Sequence, residues 1–135
     1  MNPNWKEVAR TCLEAAESGA MTFPEIVAAL MEGGFDGYAV DLRRAVAAYY
    51  LPHGEAVELA ASPTPEPVAK AFDVAVVREA IREAQTFAPG YSYKGFCAKV
   101  AAAGCAGYVV SFPGRRVLYY GRSAETHTEF FPGAD

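Results

Sequence analysis

The chain has 135 residues, of which 52% are hydrophobic and 21% charged, a composition typical of a compact globular domain and not of a disordered chain. Its formal net charge of −4 argues against nucleic-acid binding through a broad basic surface. No apolar run approaches membrane length and the first residues lack an apolar signal core, so we expect a cytoplasmic protein with no membrane partner.

Two amphipathic helices are predicted to open the chain. The first follows Asn4, with Glu7 placed to complete a capping box. The second follows Thr22, where Glu25 completes a second box. A glycine pair, Gly33-Gly34, is typical of a helix end because glycine accepts the left-handed conformation.

Three short strands are predicted next, over residues 38–42, 45–51 and 55–60. The first alternates apolar and polar side chains, as a half-buried strand does. The third is more polar and is typical of a sheet edge. A Pro-rich segment follows at residues 62–67, and proline at every second position favours an extended, stiff connection.

The second half repeats this order. Helices are predicted after Asp73 and after Ser92, the latter ending at Gly104. The predicted strands of this half cover residues 108–112, 115–121 and 125–131.

Aligning the chain with itself at an offset of 70 residues supports an internal repeat. Residues 22–58 then match residues 92–128 at eight of 37 positions, where average composition gives roughly two or three. We therefore predict an α+β fold built by tandem duplication of a helix-helix-three-strand unit, over residues about 5–60 and 74–131. Since about 60 residues are marginal alone, we expect one domain over 1–135 with a shared core and pseudo-twofold symmetry.

Two tyrosine doublets, Tyr49-Tyr50 and Tyr119-Tyr120, lie on predicted strands. Consecutive strand residues point to opposite faces, so each doublet places one ring on each side of the sheet. One ring can enter the core below the helices. The other ring meets the second repeat, another subunit, a ligand or water, which makes all four tyrosines candidate binding residues.

His127 is a candidate for chemistry because it shares a strand face with Glu125 and Glu129. A histidine beside carboxylates can hold a proton or a metal. However, the outer α-carbons of three such residues lie roughly 13 Å apart, which is awkward for joint coordination. A polar edge strand in solvent explains the same pattern, and we predict no metal site.

Arginines form one local basic cluster, comprising Arg115, Arg116 and Arg122. Alternation along a strand puts Arg115 and Arg116 on opposite faces, so they do not form one clamp. Their charge either protects a sheet edge or contacts an anionic partner.

The three cysteines show no metal-ligand spacing, and no phosphate-loop, nucleotide-binding or hydrolase motif is present. We therefore predict no cofactor and assign no catalytic residue.

Several segments resemble the YdfO/YbcV-like family of small bacterial and prophage proteins of unknown function, many of them labelled phage envelope proteins. The resemblance covers about Met21 to Pro132 and is carried by residues 34–42, 91–96, 107–112 and 119–127. It implies a shared frame and supplies no catalytic residues to carry over.

The residues and the resemblance together favour a non-enzymatic binding or protein-interaction module, possible also as a homodimer. Its partner is an unidentified protein or small molecule. The alternatives are an enzyme using His127 with Glu125, and a structural phage component.

Overall fold

The computed structural model describes residues 4–131, which form an α+β fold with four helices and a six-stranded antiparallel sheet. The first half contains α1 (Trp5–Ser18), α2 (Phe23–Glu32), β1 (Gly37–Asp41), β2 (Val46–Tyr50) and β3 (Ala56–Ala60). The second half contains α3 (Val74–Thr86), α4 (Tyr93–Ala102), β4 (Cys105–Ser111), β5 (Arg116–Gly121) and β6 (Thr126–Phe130). The predicted element order is therefore confirmed in both halves.

The sheet is continuous across the two halves. Its strand order is β3-β2-β1-β4-β5-β6, so the first strand of each half pairs with that of the other. The polar third strands, β3 and β6, lie at the two edges, as their composition predicts. An unpaired edge exposes backbone hydrogen-bonding groups, and pairing β1 with β4 removes one such edge from each half.

The strand registers repeat at the 70-residue offset. Tyr38 faces Tyr49 in the first half and Tyr108 faces Tyr119 in the second. Tyr49 and Tyr119 in turn face Val57 and His127 on the edge strands.

The central pair of strands relates the halves symmetrically. Tyr38 faces Val110, and Val40 faces Tyr108. Exchanging the halves at the 70-residue offset turns one of these pairs into the other, so an approximate twofold axis passes near the pair Ala39–Val109.

Three of the four predicted helix caps are confirmed. Thr22 accepts from the Glu25 amide while the Glu25 carboxylate accepts from the Thr22 amide, and Asp73 and Ser92 accept from amides in the first turns of α3 and α4. Asn4 precedes α1 but does not make the predicted capping bond with its side chain. Its backbone φ of −96° and ψ of 14° lie outside the extended region that a capping residue ordinarily adopts.

Gly104 ends α4 with φ +92°, a conformation that costs glycine little. A Cβ at this position would also collide with the carbonyl of Ala71. The segment before α3 therefore packs directly against the end of α4, and its Ala69 amide donates to the Ala101 carbonyl at 3.0 Å.

The helices cover one face of the sheet. Tyr49 is 3% exposed on that face, whereas its neighbour Tyr50 is 42% exposed on the other. Tyr119 is buried and Tyr120 is half-buried. The predicted opposite environments of each doublet are thus confirmed, and no helix among residues 4–131 has the length and apolar character needed to span a bilayer.

Candidate functional site

A cavity of about 450 Å³ lies between the helices and the covered face of the sheet. All four helices contribute to its wall, and the sheet contributes the inward-facing residues of β1, β2, β4, β5 and β6. Small-molecule sites in proteins are typically apolar clefts of about 300–1,000 Å³ with a few polar groups. This tyrosine-lined cavity has the size and the chemistry of such a site.

Six tyrosines border the cavity: Tyr38, Tyr49, Tyr91, Tyr93, Tyr108 and Tyr119. Tyr38 and Tyr108 lie on the two central strands, and each packs against the tyrosine opposite it on the next strand. The ring centroids of Tyr38 and Tyr49 are 5.3 Å apart, and those of Tyr108 and Tyr119 are 5.6 Å apart. These distances are within the range of favourable aromatic pairs, so the rings are held in fixed positions.

Three of the buried phenols keep their hydroxyl groups available. The Tyr93 and Tyr108 hydroxyls bond each other at 2.6 Å. Within residues 4–131, the hydroxyls of Tyr38, Tyr49 and Tyr119 have no hydrogen-bond partner, yet none of them is sealed from a water-sized probe. Since all three residues line the cavity, their hydroxyls are open to it and can bond an occupant.

Burial keeps these phenols neutral. It raises the pKa of Tyr49 and of Tyr119, because removal from water disfavours the charged form. Desolvation also raises the pKa of Tyr38 well above its ordinary value, and nearby tyrosines add to this effect. The cavity therefore presents neutral hydroxyls and ring faces at physiological pH.

Aromatic side chains surround the opening of the cavity. Phe23, Phe87 and Phe130 are 39%, 53% and 50% exposed and also line the cavity. Phe87 has φ +50°, in the left-handed region that is unfavourable for a residue with a bulky side chain. A large exposed ring held in a strained backbone conformation is a feature found at functional sites.

Two carboxylates are the charged groups in the part of the wall that the structure describes, namely Glu17 and Glu129. Glu17 accepts hydrogen bonds from the amide and the hydroxyl of Ser62, at 2.9 and 3.0 Å. Glu129 lies 2.7 Å from Nε2 of His127, whose ring stacks on Tyr119 with centroids 6.4 Å apart. The His127–Glu129 pair thus lies at the edge-strand side of the cavity.

The structure separates the candidate residues expected from the sequence. Tyr49 and Tyr119 border the cavity, whereas Tyr50 and Tyr120 lie on the opposite face of the sheet. The expectation that a ligand would meet the ring opposite the helices differs from this geometry, because the core below the helices is not filled and the inner rings are the ones beside open space.

His127 contacts Glu129 and not Glu125. Glu125 precedes the first residue of β6 and is exposed, so it does not share the strand geometry that was expected for it. The interatomic distances therefore favour a His127–Glu129 pair over the expected pairing of His127 with Glu125.

The arginines do not enter the cavity. Arg115 precedes β5 in a turn with φ +52°, and Arg116 stacks on the Phe130 ring at 4.5 Å. Arg122 borders a separate surface cleft beside the Pro-rich connection, where its guanidinium lies 3.5 Å from the Val68 carbonyl. These three residues are consequently not one anion-binding cluster.

The cysteines are all buried and unpaired. Burial raises the pKa of the Cys97 and Cys105 thiols to about 11, and it also raises that of Cys12, which borders the cavity. Such thiols are protonated at neutral pH and are poor nucleophiles. Residues 4–131 contain no group of three or more metal-ligating side chains placed to hold an ion.

The sequence signals for the missed cavity residues lie in the repeat. Tyr38 and Tyr108 are identical at the 70-residue offset, which indicates a shared role in the frame without revealing a cavity. Glu129 occupies the position equivalent to Leu59, and His127 the position equivalent to Val57. A polar pair replacing two apolar residues marks where the two halves differ chemically.

Comparison with known proteins identifies one family. Residues 13–129 match the model of a family described as protein of unknown function (DUF1398). A comparison with curated proteins gives no match. The narrower resemblance to YdfO/YbcV-like proteins, with its phage envelope label, stays a prediction.

Proposed function

The chain belongs to the family of proteins of unknown function DUF1398, and we propose that it is a non-enzymatic binding protein for a small, largely apolar molecule. The observation that carries this proposal is the tyrosine-lined cavity of about 450 Å³. A well-packed core has few voids larger than a water molecule, so a space of this size is not a packing defect of ordinary extent. Three buried hydroxyls open to it supply polar contacts for orientation.

An apolar occupant suits this site on energetic grounds. Transfer of apolar surface from water into the cavity contributes roughly 25 cal/mol per Å². The rigid sheet and the paired rings already hold the wall in place, so little ordering cost is expected on binding. A ligand of about twelve non-hydrogen atoms should bind with a dissociation constant on the order of 10–100 µM.

The direct test uses 2-naphthalenemethanol, a neutral aromatic alcohol, as the probe. Titration calorimetry should give saturable binding, and protein-observed NMR should shift the ring signals of Tyr49 and Tyr119 but not of Tyr50. Absence of saturable binding, or shifts centred on Tyr50, would contradict the proposal.

A matched pair of variants on α3 locates the binding. Ala84→Phe adds a ring into the cavity wall, whereas Ala75→Phe adds the same ring at an exposed position of the same helix. Ala84→Phe should abolish probe binding while keeping the fold, because the new ring occupies existing space. Ala75→Phe should bind as the unmodified protein does, and equal binding by both variants would place the site elsewhere.

Protein interaction is a second candidate, favoured by the apolar side chains on the face opposite the helices. Tyr50 and Val109 are 42% and 37% exposed there. This face suits a second copy or another protein. Concentration-dependent sedimentation of the unmodified protein and of Val109→Asp would reveal self-association that depends on this face.

We also propose that the frame arose by tandem duplication and acts as one domain. This is supported by the equal strand registers at the 70-residue offset and by the symmetric pairing of β1 with β4. The two halves then form one binding cavity between them, which neither half would enclose alone. Expression of residues 1–70 by themselves should give no cooperative unfolding transition, whereas a cooperative transition would indicate an independent unit.

A further inference from the structure

The charge on the cavity wall is one-sided. The described wall includes Glu17 and Glu129 but no lysine or arginine. The groups that hold Glu17 are the amide and hydroxyl of Ser62, which are neutral donors. In its neutral form the His127 imidazole donates to Glu129 and leaves the carboxylate as the charged member of that pair. An anionic occupant would be repelled by both carboxylates, and its own desolvation would not be offset.

The helix ends do not reverse this preference. The beginnings of α2 and α4 border the cavity, and so do the ends of α1 and α3. Helix N-termini carry partial positive charge and C-termini partial negative charge of similar size. Two ends of each kind offset one another, so the carboxylates decide the sign of the field.

The tyrosine rings favour the same sign of charge. The face of an aromatic ring carries partial negative charge and attracts cations within about 6 Å of its centre. The phenols remain neutral because burial raises their pKa, so this attraction comes from the ring faces and not from phenolate ions. Such rings beside a carboxylate are the arrangement that recognises organic ammonium groups.

Comparison of the two halves points to Glu129 as the specialised group. The equivalent edge strand in the first half has Val57 and Leu59, which satisfy the same strand position with apolar side chains. The fold itself therefore has no need for a carboxylate at this position. The Glu129 side chain is only 32% exposed, and placing a charge there has a desolvation cost that a cationic ligand would offset.

We propose that the cavity binds an amine with an apolar or aromatic body, its ammonium group beside Glu129 and its apolar part among the tyrosine rings. This inference rests on the proposed ligand-binding function and specifies the chemical class of the ligand. Glu17 is the second carboxylate that favours the positive charge.

Three probes with one skeleton test the inference: 2-naphthylmethylammonium, 2-naphthalenemethanol and 2-naphthoate. Titrations at pH 8 should show the ammonium binding about tenfold more tightly than the alcohol, a difference of about 1.4 kcal/mol. The carboxylate should bind most weakly. If the alcohol binds at least as tightly as the ammonium, the charge inference is wrong while the proposed binding function stands, and if no probe binds, the proposed function itself fails.

Two glutamine variants provide a matched control. Glu129→Gln removes the cavity carboxylate, and Glu125→Gln makes the same change at an exposed position outside the cavity. The first should reduce the preference for the ammonium to about threefold or less and leave alcohol binding unchanged. The second should keep the full preference. Should Glu129→Gln fail to fold, Glu17→Gln tests the other carboxylate, and an unchanged preference in every folded cavity variant would refute the inference.

Discussion

Truncation of adjacent tyrosines on β2 tests the two-faced sheet on which the cavity depends. Tyr49 is 3% exposed, stacks on Tyr38 at 5.3 Å and meets the Phe35 ring edge at 6.2 Å. Truncating a buried large aromatic residue to alanine costs about 3–5 kcal/mol. Because one side of the Tyr49 ring already borders the cavity, fewer contacts are lost, and we expect the lower end of this range, about 3 kcal/mol.

Tyr50 provides the matched control because it has the same side chain one residue further along the strand. It is 42% exposed, so Tyr50→Ala removes much less buried surface and should cost about 1 kcal/mol or less in the monomer. With an unfolding entropy of about 2 cal/mol/K per residue, these values correspond to falls in melting temperature of about 11 °C and at most about 4 °C.

Urea denaturation followed by circular dichroism at 222 nm measures the difference. The slope with denaturant should be similar in both variants, since neither change alters the total surface exposed on unfolding by much. Equal and large destabilisation by both changes would mean that a further layer buries the outer face of the sheet. Equal and small destabilisation would mean that Tyr49 does not belong to the core, and the cavity would lose its supporting wall.

Three further predictions concern the frame around the cavity. Gly37→Ala should destabilise the protein by about 1–3 kcal/mol in urea titrations, because a Cβ there would lie 2.6 Å from the Val110 carbonyl oxygen; a cost below 0.5 kcal/mol would contradict the tight approach of β1 and β4. Thr22→Ala should cost about 1 kcal/mol through loss of the capping bond, and an unchanged urea midpoint would show that the cap contributes nothing. The folded pKa values of Cys97 and Cys105, about 11 against an ordinary 9, mean that stability is complete below pH 9 and falls as the pH rises towards 11, by up to about 1.4 kcal/mol per pH unit for each thiol. Changing both cysteines to alanine should make this decline shallower, whereas an identical decline would assign it to other groups.

Local features of the fold could be predicted because their causes are local. Thr22, Asp73 and Ser92 cap helices with side chains that reach amides three residues away, so short stretches of sequence contain the signal. Alternation along a strand likewise predicts that Tyr49 and Tyr50 face opposite sides. The self-alignment at 70 residues indicated that the same element order occurs twice.

The candidate site depended on contacts between distant residues. Pairing of β1 with β4 joins strands about 70 residues apart, and it brings both helix pairs to one face. The sequence gives no measure of whether side chains fill the space below those helices, since that depends on helix positions and not on periodicity. The cavity and the three hydroxyls open to it were therefore unpredictable from residue patterns.

The partner of His127 shows the same division between local and tertiary causes. Alternation placed His127 on one face with both neighbouring glutamates and could not choose between them. The structure starts β6 at Thr126, which leaves Glu125 before the strand and Glu129 within it. The sequence alone determined the helix-helix-three-strand order of each half and the two-faced character of its strands. Tertiary structure decided that Glu129 borders the cavity, because only the packing of β6 against β5 and the helices establishes which polar side chains meet open space.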